Sequence, residues 1–368
     1  MDEFARIRHW TAGRQSLDLL RTRGVDYGIG DDAAVLDIAA AADGISGEKR
    51  LLVAMDTMVE SVHFAEVTMR DDDIGYKALA ANVSDIAAMG GVPLAAFVSV
   101  SVPQSYSADR MRKVYDGLYS CAERYSIAVA GGDTTSSPGP LVISVTLTGT
   151  VEAGKELLRS GARPGDAVFL TGPIGLSGAG LHFLQAKTAN SGVVDDAENE
   201  AYRSMIAAHR TPRPSVAAGR LLLQSGACTS LNDVSDGLAS EAWEIAEASG
   251  LRLVLSEGLL PKSGSLSAYA SIARKDPLEW MLYGGEDYVL LGTIASQALE
   301  VIKAAFSERG LPFYVIGKTE DGEPDVQLER LSENWSGGGS VDRKELNWAN
   351  GATNRISLQK RGYNHFGK

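Results

Sequence analysis

Sulfur chemistry is almost absent from this chain: among 368 residues only Cys121 and Cys228 are cysteines, and both sit in apolar stretches. That excludes a disulfide framework and a CxxC zinc knuckle, and leaves each thiol as a small buried residue. No apolar run approaches the roughly twenty residues a membrane-spanning helix needs. The opening MDEFARIRHW is charged from the start and lacks the apolar core of a signal peptide, so a cytoplasmic location is expected. Positive charge is also in deficit, with 35 Lys and Arg against 47 Asp and Glu. This disfavours nucleic acid and anionic membranes as partners and makes cations the natural ones. Missing too are the phosphate loop GxxxxGK[ST] and the HRD and DFG elements of protein kinases, while GIGDDA is too loose for a dinucleotide fingerprint. Any use of ATP must therefore run through another architecture.

The length exceeds what one hydrophobic core usually supports, so two domains are expected. After a short N-terminal helix, LLVAMD at 51–56 reads as a buried strand ending on an acid. Residues 73–89 have helical apolar spacing, stopped by Gly90, Gly91 and Pro93. A strand follows at 94–102. Residues 107–125 form an amphipathic helix with Met111, Val114, Tyr115, Leu118, Ala122 and Tyr125 on one side and Ser107 as N-cap. The strand IAVA runs into Gly131, Gly132 and Asp133, and LVISVTLTG at 141–149 has the partial alternation of a sheet with one covered face. The register changes near residue 150, where RSGARPGD at 159–166 introduces a fresh strand. Domains are therefore expected at 1–150 and 151–333, the second an α/β or α+β layer domain, with 187–200 a polar loop insertion and 334–368 a polar linker and tail.

Against this background one arrangement recurs: acids beside Gly or other small residues, placed where strands end. It occurs in GIGDDAAVL at 28–36, VAMDT at 53–57, NVSDIAAMG at 82–90, AGGDTT at 130–135 and NDVSDGLASE at 232–241. Small neighbours let phosphate oxygens and hydrated ions approach the backbone, and magnesium prefers carboxylate, water and phosphate oxygens. Singly these acids have ordinary roles: Asp31 and Asp32 suit a turn, while Ser84 with Asp85 and Ser235 with Asp236 suit helix capping. Collected together they repel one another unless a cation neutralises them, which points to a shared metal and phosphate site. VSD occurs at both 83–85 and 234–236, each time read as leading into a small-residue helix.

Taken in order, GIGDDAAVL, MDTMVESVHF, YKALAANVSDIAAMGGVP, AGGDTT, NDVSDGLASEA, YGGEDYVLL and the terminal GYNHF resemble the thiamine-monophosphate kinase family along nearly the whole chain. The wider superfamily includes aminoimidazole ribonucleotide synthetase and selenophosphate synthetase. The resemblance implies a mixed α+β and α/β homodimer, in which N-terminal sheets of two subunits join into a barrel and a C-terminal α/β domain packs on each. It implies magnesium ligation by Asp32, Asp56, Asp85, Asp133, Asp233 and Asp236, with Asp31 a further member. By the same resemblance Tyr115, Gly132, Asp133, Arg159 and Ser235 contact ATP, and His63, Glu286, Asp287 and Tyr363 lie near thiamine monophosphate. Residues 40–50 and 187–200 look inserted relative to the family, and 334–360 separates the terminal motif from the body.

The expected activity is ATP-dependent, magnesium-assisted phosphorylation of thiamine monophosphate to thiamine diphosphate. Its acceptor oxygen is already anionic near neutral pH, so no general base is expected. The alternatives are an aminoimidazole-type synthetase of the same superfamily, or a nucleotide- and ion-binding relative without turnover. A selenophosphate synthetase would need a reactive N-terminal cysteine, and neither Cys121 nor Cys228 lies there.

Overall fold

The computed structural model describes residues 3–29, 34–189, 200–331 and 353–362. Helices α1 (Glu3–Thr11) and α2 (Leu17–Thr22) and a small pair, β1 (Val25–Tyr27) with β2 (Val35–Leu36), precede β3 (Lys49–Val59). Then come α3 (Asp71–Ala88), β4 (Val92–Pro103), α4 (Ala108–Tyr125), β5 (Ala128–Ser137) and β6 (Val142–Glu152). The four long strands form one sheet in the order β3-β6-β4-β5, parallel only between β4 and β5. Strict alternation on β6 sends Ile143, Val145 and Leu147 into the core beneath α3 and α4 and leaves Thr146 and Thr148 on the other face. Over β3 that other face is uncovered, with Val53 and Met55 61% and 65% exposed, whereas Val25, Leu36 and Ala41 pack on Ala95 and Ala128 at one end of β4 and β5. The strand expected at 51–56 is thus longer than its apolar run, and it is buried on one face only. The sheet does not close into a barrel within one chain.

Helix α3 is the pivot of the molecule. Only Asp71, Asp72, Ala81 and Asp85 escape full burial along it, because α4 and the sheet cover one side and α6 (Glu200–Arg210), α7 (Val216–Ser225) and β8 (Cys228–Asp233) of the second half approach the other. Small residues permit this crowding: a Cβ at Gly75 would lie 1.7 Å from the Val114 carbonyl oxygen, and one at Gly117 1.7 Å from that of Asp72. Leu79, Val83 and Ile86 are fully buried, each worth about 1.5–3 kcal/mol relative to exposure. On α4 the Ser107 hydroxyl caps the helix by accepting from the Arg110 N–H at 3.2 Å, as its sequence predicts.

The second half is a three-layer unit. To α6, α7 and β8 it adds β7 (Ala167–Leu170), α5 (Leu176–Ala189), α8 (Leu238–Ser249), β9 (Arg252–Ser256), α9 (Gly264–Ala273), α10 (Pro277–Tyr283), β10 (Leu290–Ile294), α11 (Leu299–Glu308), β11 (Tyr314–Glu320), β12 (Asp325–Leu331) and β13 (Thr353–Ser357). These strands form a seven-stranded sheet, β13-β12-β9-β11-β7-β10-β8, parallel only between β12 and β9. Strand β7 shows why two helical layers are needed: Val168 and Leu170 enter one core and Ala167 and Phe169 the other, so neither face tolerates water.

Three boundaries differ from the sequence-based expectation. The junction near 150 falls inside β6, which runs to Glu152. The stretch 187–200 overlaps the ends of α5 and α6, and 190–199 lie outside the described residues. Part of the polar 334–360 segment is a strand, since β13 pairs antiparallel with β12 and is followed by the buried Leu358. Trp243 Nε1 donates to the Leu358 carbonyl at 2.9 Å, which ties the segment to α8.

Candidate active site

The two unburied positions on the inner side of α3, Ala81 and Asp85, open onto a cleft of about 900 Å³ between the halves. Asp56 from β3, Asp85 from α3 and Asp233 at the end of β8 form its acidic end, joined by Asp236 from the loop before α8. Burial, then repulsion from Asp233 and Asp56, pushes Asp85 up to about 8. Burial likewise raises Asp56, which shares a hydrogen bond with Asp85, and lifts Asp233 to about 6 although Ser84 Oγ donates to its Oδ2 at 2.7 Å. Three carboxylates that cannot all ionise comfortably constitute a site short of positive charge.

Their placement departs from the strand-end pattern. Only Asp233 ends a strand; Asp56 and Asp133 lie within β3 and β5, and Asp85 lies within α3. The first VSD is therefore inside a helix, not ahead of one, and Ser84 caps nothing. The second precedes α8, whose N-cap is Gly237, so Ser235 and Asp236 are not caps either.

Behind the acids runs a polar network that the sequence did not announce. Arg159 Nε donates to Asn232 Oδ1 at 3.0 Å, Asn232 Nδ2 to Glu241 Oε2 at 2.6 Å, and the Asp236 N–H to Glu241 Oε1 at 3.1 Å. Burial and then Asp233 push Glu241 up to about 8. It holds the NDVSDG loop in shape from the first turn of α8. Arg159 offers positive charge to Asp85 and Asp233 while its side chain stays half exposed at the rim.

The YGGED segment lies flat against that loop. The Glu286 N–H donates to the Ser235 carbonyl at 2.6 Å and the Tyr288 N–H to that of Val234 at 2.9 Å. A Cβ at Gly285 would stand 2.4 Å from the Ser235 oxygen, so no larger residue fits there. Glu286 and Tyr288 adopt left-handed backbone, φ +65° and +50°, a strained conformation the surrounding bonds must hold. Glu286 lines the cleft. Burial opposes its charge, but the Lys77 ammonium and His209 hold it down at about 2. His63 lines the cleft as well; its Nδ1 accepts from the Val59 N–H at 2.9 Å, so the neutral ring carries its proton on Nε2. The lining also carries aromatic rings, those of His182, Trp280 and Tyr283, together with Met55 and Val62. Trp280 stacks on Tyr269 at 5.6 Å, and the Arg361 guanidinium lies 4.2 Å over the Tyr283 ring.

Other expected site residues stand elsewhere. Asp287 is turned into the start of α5, accepting from the Gly175 and Ser177 N–H groups at 2.6 and 3.1 Å. Tyr115 is buried on α4, stacked on Trp10 at 5.5 Å. Asp133 is exposed and follows the row Thr57–Ser144–Ser99 across the sheet, which places it on the uncovered face, opposite to Asp56. Neighbouring Gly132 crowds β4, where a Cβ would lie 1.9 Å from the Val98 carbonyl oxygen. Asp31, Asp32 and Tyr363 lie outside the described residues. Among the described residues no three His, Cys, Asp or Glu side chains form a ready metal cage. An all-oxygen cluster short of charge still fits magnesium, which is commonly held by one or two carboxylates with phosphate and water oxygens. Lys77, His209 and Glu241 were missed, since a lysine in a helix that also carries four aspartates reads as part of a solvated face.

Comparison with known proteins accords with this geometry. Two family models match, the N-terminal domain of AIR synthase related proteins over residues 30–151 and the C-terminal domain over 163–329. A thiamine-monophosphate kinase of Bacillus subtilis is 38% identical over 372 residues, covering 100% of both chains. One of Escherichia coli K12 is 35% identical, covering 82% of this chain and 89% of its own. Among solved structures, thiamine-monophosphate kinase from Stenotrophomonas maltophilia superposes with a TM-score of 0.72 at 33% identity, covering 85% of this chain and 95% of that one. AaThiL complexed with AMPPCP and TMP gives 0.67 at 31%, covering 76% and 84%. Matched end to end by such a relative and by both domain models, the chain belongs to the thiamine-monophosphate kinase family of AIR synthase related proteins.

Proposed function

We propose that this chain transfers the terminal phosphate of ATP directly to thiamine monophosphate, giving thiamine diphosphate and ADP. The observation that carries this reading is the mixed lining of the cleft, which joins carboxylates short of positive charge with aromatic rings. A thiamine phosphate has the complementary shape, an anionic phosphate at one end and a flat cationic ring system at the other. The relatives' activity and the complex of AaThiL with AMPPCP and TMP support it.

Asp32, Asp56, Asp85, Asp233 and Asp236, with Asp31, would hold magnesium, which when bound screens the phosphates and stabilises the charge that moves between them; Asp133, on the opposite face of the sheet, would join them only if the bound state rearranges it. The protein supplies position. His63, carrying its proton on Nε2, is a donor to a phosphate oxygen and not a base. Arg159 and Ser235 serve the nucleotide, and Glu286 the thiamine end. Gly362 lines the cleft, and Tyr363, the next residue in sequence, is assigned to the thiamine end. Tyr115, Gly132 and Asp287 keep their expected ligand roles only if the bound state rearranges them. In-line alignment then removes an entropic cost of several kcal/mol without proton abstraction.

Residues 1–150 carry metal binding and dimerisation and 151–333 the rest of the cleft, in a cytoplasmic homodimer whose uncovered sheet faces meet. Exposed Val53 and Met55 on an edge strand support that pairing. Incubation of the purified protein with ATP, magnesium and thiamine monophosphate should yield thiamine diphosphate and ADP in equal amounts. Turnover only with a different acceptor would overturn the proposal.

A further inference from the structure

Lys77 is among the largest fully buried side chains of the molecule, and it belongs to α3 in the first half. Its Nζ lies 2.5 Å from Oε2 of Glu286, which belongs to the loop before β10 in the second half. His209 of α6, also buried, places Nδ1 3.4 Å from the same oxygen and 3.3 Å from Ser177 Oγ. Two separate helices thus converge on one oxygen of one carboxylate.

Stability alone does not explain such a group. Desolvating an ammonium and a carboxylate costs about what their attraction returns, and well-packed apolar residues usually serve a core as well or better. What the ion pair does supply is orientation, and Glu286 needs it. Its backbone is left-handed, its carboxylate stands at the cleft wall, and one residue on Asp287 is turned the opposite way into α5. Without partners on Oε2 the Glu286 side chain could adopt other rotamers, each costing affinity for whatever it meets in the cleft.

We propose that Lys77 and His209 are positioning residues that fix the Glu286 carboxylate against the thiamine end of the acceptor, and that they act on acceptor binding and not on the nucleotide. This rests on the reading of the cleft given above. Both act only through Glu286, so their effects and its own are not independent.

Steady-state kinetics of the full-length protein with each substrate varied provide the test. Lys77→Met should raise KM for thiamine monophosphate about tenfold and leave KM for ATP within about twofold. The double variant Lys77→Met with Glu286→Gln should be no worse than Glu286→Gln alone. His209→Ala should raise the same KM, and His209→Asn, whose amide can replace Nδ1, should restore most of it. Thermal melting of each variant establishes folding; if Lys77→Met does not fold, the His209 pair decides. An unchanged acceptor KM in the folded variants, additive effects of Lys77 and Glu286, or equal losses for ATP and acceptor would overturn the positioning role. A wild-type protein without turnover of thiamine monophosphate would instead overturn the functional reading itself, and with it the ligand assigned to Glu286.

Discussion

Ser84 and Asp233 stand 149 residues apart in sequence, yet Ser84 Oγ donates to Asp233 Oδ2 at 2.7 Å in a fully buried bond that links α3 to the end of β8. It ties the first half directly to the acids of the cleft. Ser84→Ala should leave a buried carboxylate oxygen without its donor, costing about 1–3 kcal/mol. The magnesium concentration for half-maximal activity should rise several-fold. Chemical denaturation and a magnesium titration check the two outcomes separately.

The acid cluster makes stability depend on pH in an unusual direction. Asp85 sits at about 8 and Asp233 at about 6 in the folded chain, against an ordinary carboxylate value of about 3.9. Between those values the folded state binds more protons than the unfolded one, so stability falls as pH rises from about 4 to about 8. Metal-free protein should show that decline in its melting temperature. Asp85→Asn should reduce the part between about pH 6 and 8, to which Glu241 at about 8 and Asp287 at about 7 also contribute, and magnesium should lessen it in the wild type. Asp56→Asn should melt no lower than wild type without metal, yet lose about 10²-fold or more in turnover.

The uncovered sheet face supports an association test. Val53→Glu places a charge on the open side of β3, away from the core under α3 and α4 and outside the cleft lining. Sedimentation at micromolar concentration should show a dimer for the wild type and a monomer of normal helicity and little activity for the variant. A wild-type enzyme that is active as a monomer would sink the homodimer.

At the tail, a chain ending after Gly362 keeps β13, the Trp243 bond to Leu358 and the Arg361 contact with Tyr283. It should raise KM for thiamine monophosphate several-fold and leave that for ATP nearly unchanged. Tyr363→Ala should reproduce much of the loss and Tyr363→Phe little, because the ring face carries a contact of about 0.5–2 kcal/mol. Wild-type kinetics in the truncated chain would remove Tyr363 from the acceptor site.

How much of this was legible beforehand varies with the range of the interaction. Helix α4 could be read almost to its ends, since its period and its Ser107 cap are local. The acids could be collected from motifs, but their faces could not, because the face an acid takes on a strand is set by the register with its neighbours. Hence Asp56 and Asp133 look alike in sequence and stand on opposite sides of one sheet. Lys77 was invisible for a related reason: a lysine ordinarily marks a solvated face, and only the contact with Glu286 some two hundred positions later reverses that. Strand β13 is five residues long within a polar stretch, too short to show a period, and its partner strand supplies the order.

Helix α3 touches both halves along its length. Gly219 of α7 is so close that a Cβ there would stand 2.2 Å from the Ala87 carbonyl oxygen. Arg210 bonds the Thr68 carbonyl at 2.7 Å, and Arg220 clasps Glu152 and the Gly90 carbonyl. An enzyme built around such a shared axle cannot open and shut like a pair of jaws, because parting the halves would strip both of their cores at once. Substrate entry and product escape then fall to lighter, peripheral pieces of chain, while the packed helices that carry the cleft stay where folding left them.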